Sequence, residues 1–269
     1  MNMKSVADRG LVLLGCGKMG SAMLAGWLDG GLPATSVHVI DPAPSEWLLG
    51  TGVAINQALP GNPAIVLIAV KPQMMAEALP AISGFGADTL FITVAAGTPI
   101  RAYEAALGAN ATIVRAMPNT PAAVGRGITA IVGNASVGEE DLALAETLLS
   151  AVGQVVRLGA EDQMDAVTAV SGSGPAYVFH LIEAMTEAGV AEGLPEDLAL
   201  QLARATVAGA GELAEKSDES PAQLRVNVTS PGGTTAAALG VLMDEGCGFP
   251  TLLKRAIKAA ADRSRELGA

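Results

Sequence analysis

Histidine and cysteine are almost missing from this chain, with two of each among 269 residues. His38 and His180 lie far apart with no ligand spacing around them, so no metal site is expected. Cys16 and Cys247 cannot build a disulfide framework and read as reduced thiols of a cytoplasmic protein. Positive charge is scarce too: 16 Lys and Arg stand against 27 Asp and Glu, a formal net charge of -11. That balance argues against nucleic acid or an anionic membrane surface as partner. No apolar run reaches the ~20 residues needed to span a bilayer. Met1 to Asp8 lack the apolar core of a signal peptide.

What is present is apolar: half of the residues, with only 16% charged, the balance of a globular chain with extensive burial. Its length suits one or two domains. Two glycine turns carry most of the functional signal. The first is Gly15-Cys16-Gly17-Lys18-Met19-Gly20, preceded by the strand-length run Leu11–Leu14 and followed by a helical pattern from Ser21 to Leu28. Strand, G-x-G-x-x-G and helix form the dinucleotide fingerprint, in which glycines let the backbone approach a pyrophosphate at a helix N-terminus. The bland alternative is a tight βα turn in a glycine-rich chain. A second strand, Val37–Ile40, ends at Asp41, and an acid about 20 residues beyond the glycines is where ribose hydroxyls are read.

Strand and helix signals then alternate. A helical stretch near Glu46 is followed by strand Ile65–Val70, helix Gln73–Leu79, strand Leu90–Val94, helix Ile100–Leu107 and strand Thr112–Arg115. Strands Ile128–Val132 and Gln154–Leu158 bracket a helix over Glu139–Val152. This order predicts an α/β class, with a Rossmann-type, parallel, doubly wound sheet over residues 1–160. From Glu161 the strand signal stops, and residues 161–269 are expected to be all-helical. Pro175 opens a helix to Gly189, Pro195 opens another through Ala214, and a last helix covers Thr251 to Leu267. The segment Ala176–Val190 carries Tyr177, Val178, Phe179, Leu181, Ile182 and Met185 around most of its circumference. A helix apolar on all sides must be covered on all sides. The helical domain offers little with which to do so, which predicts a homodimer; packing on the chain's own nucleotide domain is the alternative.

The second glycine turn is Asn227-Val228-Thr229-Ser230-Pro231-Gly232-Gly233-Thr234-Thr235, which opens onto a helix-forming run from Ala236 to Met243. Free amides and the positive end of a helix dipole make such a place an anion receptor. It contains no lysine or arginine, which suits a small carboxylate better than a polyphosphate. Three more segments end strands at one sheet edge, where open α/β sheets bind ligands. They are Ala69-Val70-Lys71-Pro72, Ala95-Ala96-Gly97 and Arg115-Ala116-Met117-Pro118-Asn119-Thr120-Pro121. Each alone reads as a strand-end turn; together they read as a site.

Taken in order, GCGKMG, AVKP, RAMPNTPA, SGSGPAY and SPGGTT resemble the pyrroline-5-carboxylate reductase family over nearly the whole chain. The resemblance implies hydride transfer from NADH or NADPH to the C=N carbon of L-1-pyrroline-5-carboxylate, giving L-proline in the last step of its synthesis. It also implies a helical domain that dimerises by interleaving, and dimers that assemble into a ring of five. The substrate's single carboxylate matches the amides of Gly232, Gly233 and Thr234 and the hydroxyl of Ser230. By resemblance Thr235 is the catalytic residue, its hydroxyl bonding the ring nitrogen. The implied cofactor set is Gly15, Cys16, Gly17, Lys18, Met19, Gly20, Asp41, Asn56, Ala69, Val70, Lys71, Pro72, Ala96 and Asn227, with Asn119 and Thr120 close by. A protonated imine is already electrophilic, so orientation is the protein's main task.

Cofactor choice is the point of departure from that pattern. Asp41-Pro42-Ala43-Pro44 offers no cation for a 2′-phosphate, and no lysine or arginine occurs between Lys18 and Lys71. A carboxylate accepts from a free 2′-hydroxyl and repels a phosphate, so NADH is expected to serve at least as well as NADPH. Two other readings compete. A hydroxyacid dehydrogenase would need a lysine early in the helical domain for proton transfer, yet after Lys71 the lysines are Lys216, Lys254 and Lys258. A non-catalytic nucleotide-binding regulator would not need the second, hydroxyl-rich turn.

Overall fold

The computed structural model describes residues 3–86 and 88–268. Its first part runs α1 (Met3–Arg9), β1 (Leu11–Leu14), α2 (Lys18–Asp29), β2 (Val37–Ile40), α3 (Glu46–Leu49), β3 (Ala54–Ile55) and β4 (Ile65–Ile68). It continues through α4 (Met75–Ala78), β5 (Leu90–Thr93), α5 (Ile100–Leu107), β6 (Thr112–Met117), β7 (Gly127–Gly133), α6 (Glu139–Leu149) and β8 (Gly153–Arg157). After α7 (Met164–Val167) and one π-helical turn, Thr168–Gly172, come α8 (Gly174–Ala191), α9 (Glu196–Lys216), α10 (Pro221–Asn227), α11 (Thr234–Leu242) and α12 (Phe249–Leu267).

The eight strands form one sheet in the order β3-β2-β1-β4-β5-β6-β7-β8. Alternate residues of β1 serve the two faces. Leu11 and Leu13 join Trp27 and Leu148 on one, whereas Val12 and Leu14 join Phe91 and Tyr103 on the other. Both faces are covered, which is why the central strands read as unbroken apolar runs. The indole N–H of Trp27 donates to the Leu148 carbonyl at 2.9 Å, tying α2 to α6.

The expectation of a wholly parallel sheet needs correction. β7 lies antiparallel to β6 and carries β8 parallel to itself. The link Pro118–Arg126 is too short for a crossover, which takes a dozen residues or more, so the chain turns back. The helix expected over Gln73–Leu79 is also broken, into the tight turn Pro72–Met74, α4 and a second tight turn, Leu79–Ile82. Pro80 supplies no N–H to continue the ladder. The helix α1 had no strong sequence signal; Arg9 at its end donates to the carbonyls of Asn62, Pro63 and Asp88.

Two compact units result. One runs to Gly172 and is joined again by the chain from Ala261; the other is Ser173–Ala260. Packing therefore divides the chain later than residue 160, because α7 and the π-turn stay with the sheet: Met164 is fully buried among Val12, Leu14 and Tyr103. In the helical unit α8 packs on α9, with Gly189 close to Ala199. No residue of α8 is buried, and Val178, Phe179, Met185 and Val190 are all exposed.

Candidate functional site

At the β1–α2 turn the three glycines do three different jobs. Gly15 has φ +89°, and a Cβ there would lie 2.8 Å from Val70 Cγ1 and 3.0 Å from the Ala69 carbonyl oxygen. At Gly20 a Cβ would overlap the Gly15 carbonyl oxygen, so α2 could not pack against the turn. Gly17, the residue before α2, faces open space, with nothing within 4 Å of a Cβ. The first bond inside α2 runs from the Ser21 N–H to the Gly17 carbonyl. Lys18, Met19 and Gly20 therefore present amides with no acceptor inside the helix. This bare, amide-lined concavity fits a pyrophosphate.

Asp41 reaches back to the same turn. Its Oδ2 accepts the Cys16 N–H at 2.7 Å and its Oδ1 accepts the Ala43 N–H at 2.8 Å. The carboxylate is thus a brace between the glycine turn and the loop after β2, a role that spacing alone did not reveal. Asn56 holds Asp41 in turn: its side-chain oxygen accepts the Asp41 N–H and its NH2 donates to the Asp41 carbonyl, at 3.0 and 2.7 Å. Asn56 adopts φ +51°, which asparagine tolerates better than most residues. Burial first, and the Asp41 charge second, push the Cys16 thiol up to about 11.

Of the strand-end segments, the one after β4 adjoins the glycine turn. Ala69 and Val70 back Gly15, and exposed Lys71 opens the turn Pro72–Met74. Ala96 is exposed beside buried Gly97 at the end of β5. Asn119 is committed elsewhere: its NH2 donates to the Ser171 carbonyl and its Oδ1 accepts the Ile128 N–H. It fastens the π-turn to β7, while its neighbour Thr120 is exposed.

The second glycine turn belongs to the helical unit. Gly232 has φ +68°, and Gly233 is the residue before α11. The Gly233 N–H, expected from sequence to meet a carboxylate, donates within the turn to the Ser230 carbonyl at 3.0 Å. Ala237 N–H to the Gly233 carbonyl is the first bond inside α11. Thr234, Thr235 and Ala236 then hold the amides without helical acceptors. Ser230 and Thr234 are exposed and Thr235 is half-buried. Asn227 is engaged within its own segment, donating to Glu219 and accepting from Gln223, each at 2.8 Å.

One supporting group was not anticipated. Glu161 Oε1 accepts both the Ile100 N–H at 2.8 Å and the Arg115 guanidinium at 2.6 Å. It caps α5, whose own preceding residue, Pro99, cannot. A contact across 61 residues leaves no local signal in the sequence. Among the described residues, no three His, Cys, Asp or Glu come together as metal ligands.

A mixed sheet whose first six strands are parallel, with a glycine turn at its first βα junction, is the architecture of the Rossmann class of dinucleotide-binding domains. Residues 10–97 match a family described as NADP oxidoreductase coenzyme F420-dependent, and residues 161–267 match pyrroline-5-carboxylate reductase dimerisation. A pyrroline-5-carboxylate reductase of Synechocystis is 46% identical over 79% of this chain and 78% of that one. The enzyme of that name from Pseudomonas aeruginosa is 39% identical over 96% of both. A Plasmodium falciparum pyrroline carboxylate reductase, solved with NADP bound, superposes with a TM-score of 0.84 at 31% identity, covering 98% of this chain and 99% of the other. The chain belongs to the pyrroline-5-carboxylate reductase family.

Proposed function

We propose that this protein reduces the C=N bond of L-1-pyrroline-5-carboxylate to give L-proline, using NADH or NADPH. The observation that carries the reading is the presence of two amide-lined helix N-termini of different kinds. One, at Gly17, is bare and placed for a pyrophosphate. The other, at Thr234 and Thr235, is rich in hydroxyls and free of lysine and arginine, as a small carboxylate requires.

The backbone amides of Lys18, Met19 and Gly20 would hold the pyrophosphate, and Lys71 and Ala96 would line the nicotinamide side. The bound cofactor supplies the hydride. The amides of Thr234 and Thr235, with the Ser230 hydroxyl, fix the substrate carboxylate. The Thr235 hydroxyl bonds the ring nitrogen, which enters as a protonated imine and leaves as the amine of proline. The chain's contribution is orientation rather than acid strength. Asn119 and Asn56 act by holding backbone, since both ends of each side-chain amide are engaged. The working form is a cytoplasmic homodimer joined through the helical unit, with dimers assembled into a pentameric ring. The uncovered apolar surface of α8 supports the dimer.

The test is direct: the purified protein is mixed with pyrroline-5-carboxylate and NADH or NADPH, and the nicotinamide absorbance is followed. Loss of absorbance that depends on the imine is expected. No oxidation with either cofactor would overturn the assignment.

A further inference from the structure

The last turn of α12 returns to the sheet unit and lies on the turn that follows β5. Gly97, at φ +73°, is buried there, and a Cβ on it would come 3.0 Å from Leu267 Cβ and 3.7 Å from the Leu267 backbone. Position 268 is as close from the other side: a Cβ on Gly268 would lie 3.0 Å from the Gly97 carbonyl oxygen. Arg101, in the first turn of α5, donates to the Gly268 carbonyl at 2.9 Å. One turn earlier, the hydroxyl of Ser264, itself 5% exposed, donates to Asp165 Oδ1 at 2.6 Å and sets the register of the helix. The two segments meet at their backbones: Leu267 crowds any side chain at position 97, and the Gly97 carbonyl crowds any side chain at position 268.

From this contact we propose that Leu267 and Gly268 form a clasp that fixes the Ala96–Thr98 turn, and so positions the nicotinamide end of the cofactor site. The left-handed conformation of Gly97 points Ala96 outward, exposed, while Gly97 itself is covered. Without the cover, a glycine in an open turn has the widest backbone freedom of any residue. A turn that samples several conformations binds its ligand in proportion to the fraction in the competent one. The clasp residues touch no reacting atom; they are positioning residues. The proposal rests on the reading of Ala96 as cofactor-lining.

Binding is therefore measured without substrate, by NADH fluorescence on the otherwise intact protein, so that loss of the clasp and absence of reductase activity are distinguishable. A chain ending at Glu266 keeps Ser264 and its bond to Asp165 but loses the clasp. Its dissociation constant for NADH is expected to rise about five- to twentyfold, with its thermal midpoint near that of the native chain. Gly97→Ala in the intact chain should weaken NADH to a similar degree. Combining it with the truncation should cost less than the sum of the two, because the new Cβ no longer meets Leu267. Amide exchange at residues 96–98 in the ligand-free protein gives a readout independent of cofactor, and it should speed up in the shortened chain. Native NADH affinity together with native exchange at these amides in the shortened chain would refute the clasp.

Discussion

In the proposed mechanism the contact to the reacting ring nitrogen comes from a threonine hydroxyl at the head of α11. Replacing it, Thr235→Ala, is expected to lower kcat/KM by roughly 10- to 1000-fold, the loss of a hydrogen bond to a reacting polar group, with NADH affinity little changed. An unaltered rate would remove Thr235 from the mechanism. Asp41 is subtler, because both of its oxygens are engaged in bracing Cys16 and Ala43, and the proposed reading also sets its charge near the adenosine ribose. NADH is expected to be used at least as efficiently as NADPH. Asp41→Ser should shift the ratio of kcat/KM toward NADPH by about fivefold, the worth of relieving on the order of 1 kcal/mol of repulsion between partly solvated charges. A native preference for NADPH would show that the brace leaves no charge facing the ribose. Cys16 gives a third test. With its thiol raised from 9.0 to about 11, it holds about 100-fold less thiolate near neutral pH than an ordinary cysteine, and only the thiolate is nucleophilic. Iodoacetamide at pH 7.5 should label exposed Cys247 and spare Cys16 in the folded protein, as peptide mapping by mass spectrometry would show.

These residues also mark where the sequence stopped being informative. The glycine spacing located both turns because a backbone requirement is written in the residue itself. The duties of Asn56, Asn119 and Asn227 were not written there, since an asparagine amide serves a neighbouring carbonyl as readily as a ligand. Their partners are set by folding, and the 52 residues separating Asn119 from Ser171 leave no periodic trace.

At the scale of elements, strand positions were legible wherever apolar, β-branched runs had to be buried on both faces. Strand direction was not read from these runs, because hydrophobic period is the same up and down a strand. The clue was the connection: Pro118–Arg126 is too short for a crossover. Helix α1 escaped because its seven residues bury only Val6. Ion pairing is likewise decided between elements. Arg115 is 6% exposed on β6 and Glu161 meets it from beyond β8. Glu161→Ala would strip the cap from α5 and leave a buried guanidinium without this carboxylate. Breaking a fully buried pair costs 3–5 kcal/mol; with Glu161 a third exposed, about 2 kcal/mol is expected. Urea unfolding followed by circular dichroism reads that loss, and an unchanged midpoint would mean that water replaces the carboxylate without penalty.

For the whole molecule, the decisive feature is a helical unit whose apolar side chains remain in solvent in a single chain. Phe179, Leu213 and Val241 are each more than half exposed. An area of that kind belongs to an interface. Sedimentation at low micromolar concentration should show no folded monomer, and Phe179→Asp should shift the protein toward monomer and lower its thermal midpoint. A stable native monomer would remove the dimer from the proposal.

The sheet unit is assembled from two stretches of chain that are far apart in sequence, the second being Ala261 onward. That arrangement has a consequence for biosynthesis. Chains emerge from the ribosome N-terminus first, at about 5–20 residues per second. The eight strands are therefore all made while Ser264 has yet to appear, and the bond to Asp165 must wait for the entire helical unit. The part of the protein that begins first is completed last, and a ribosome stalled anywhere before residue 261 releases a sheet that lacks its closing turn.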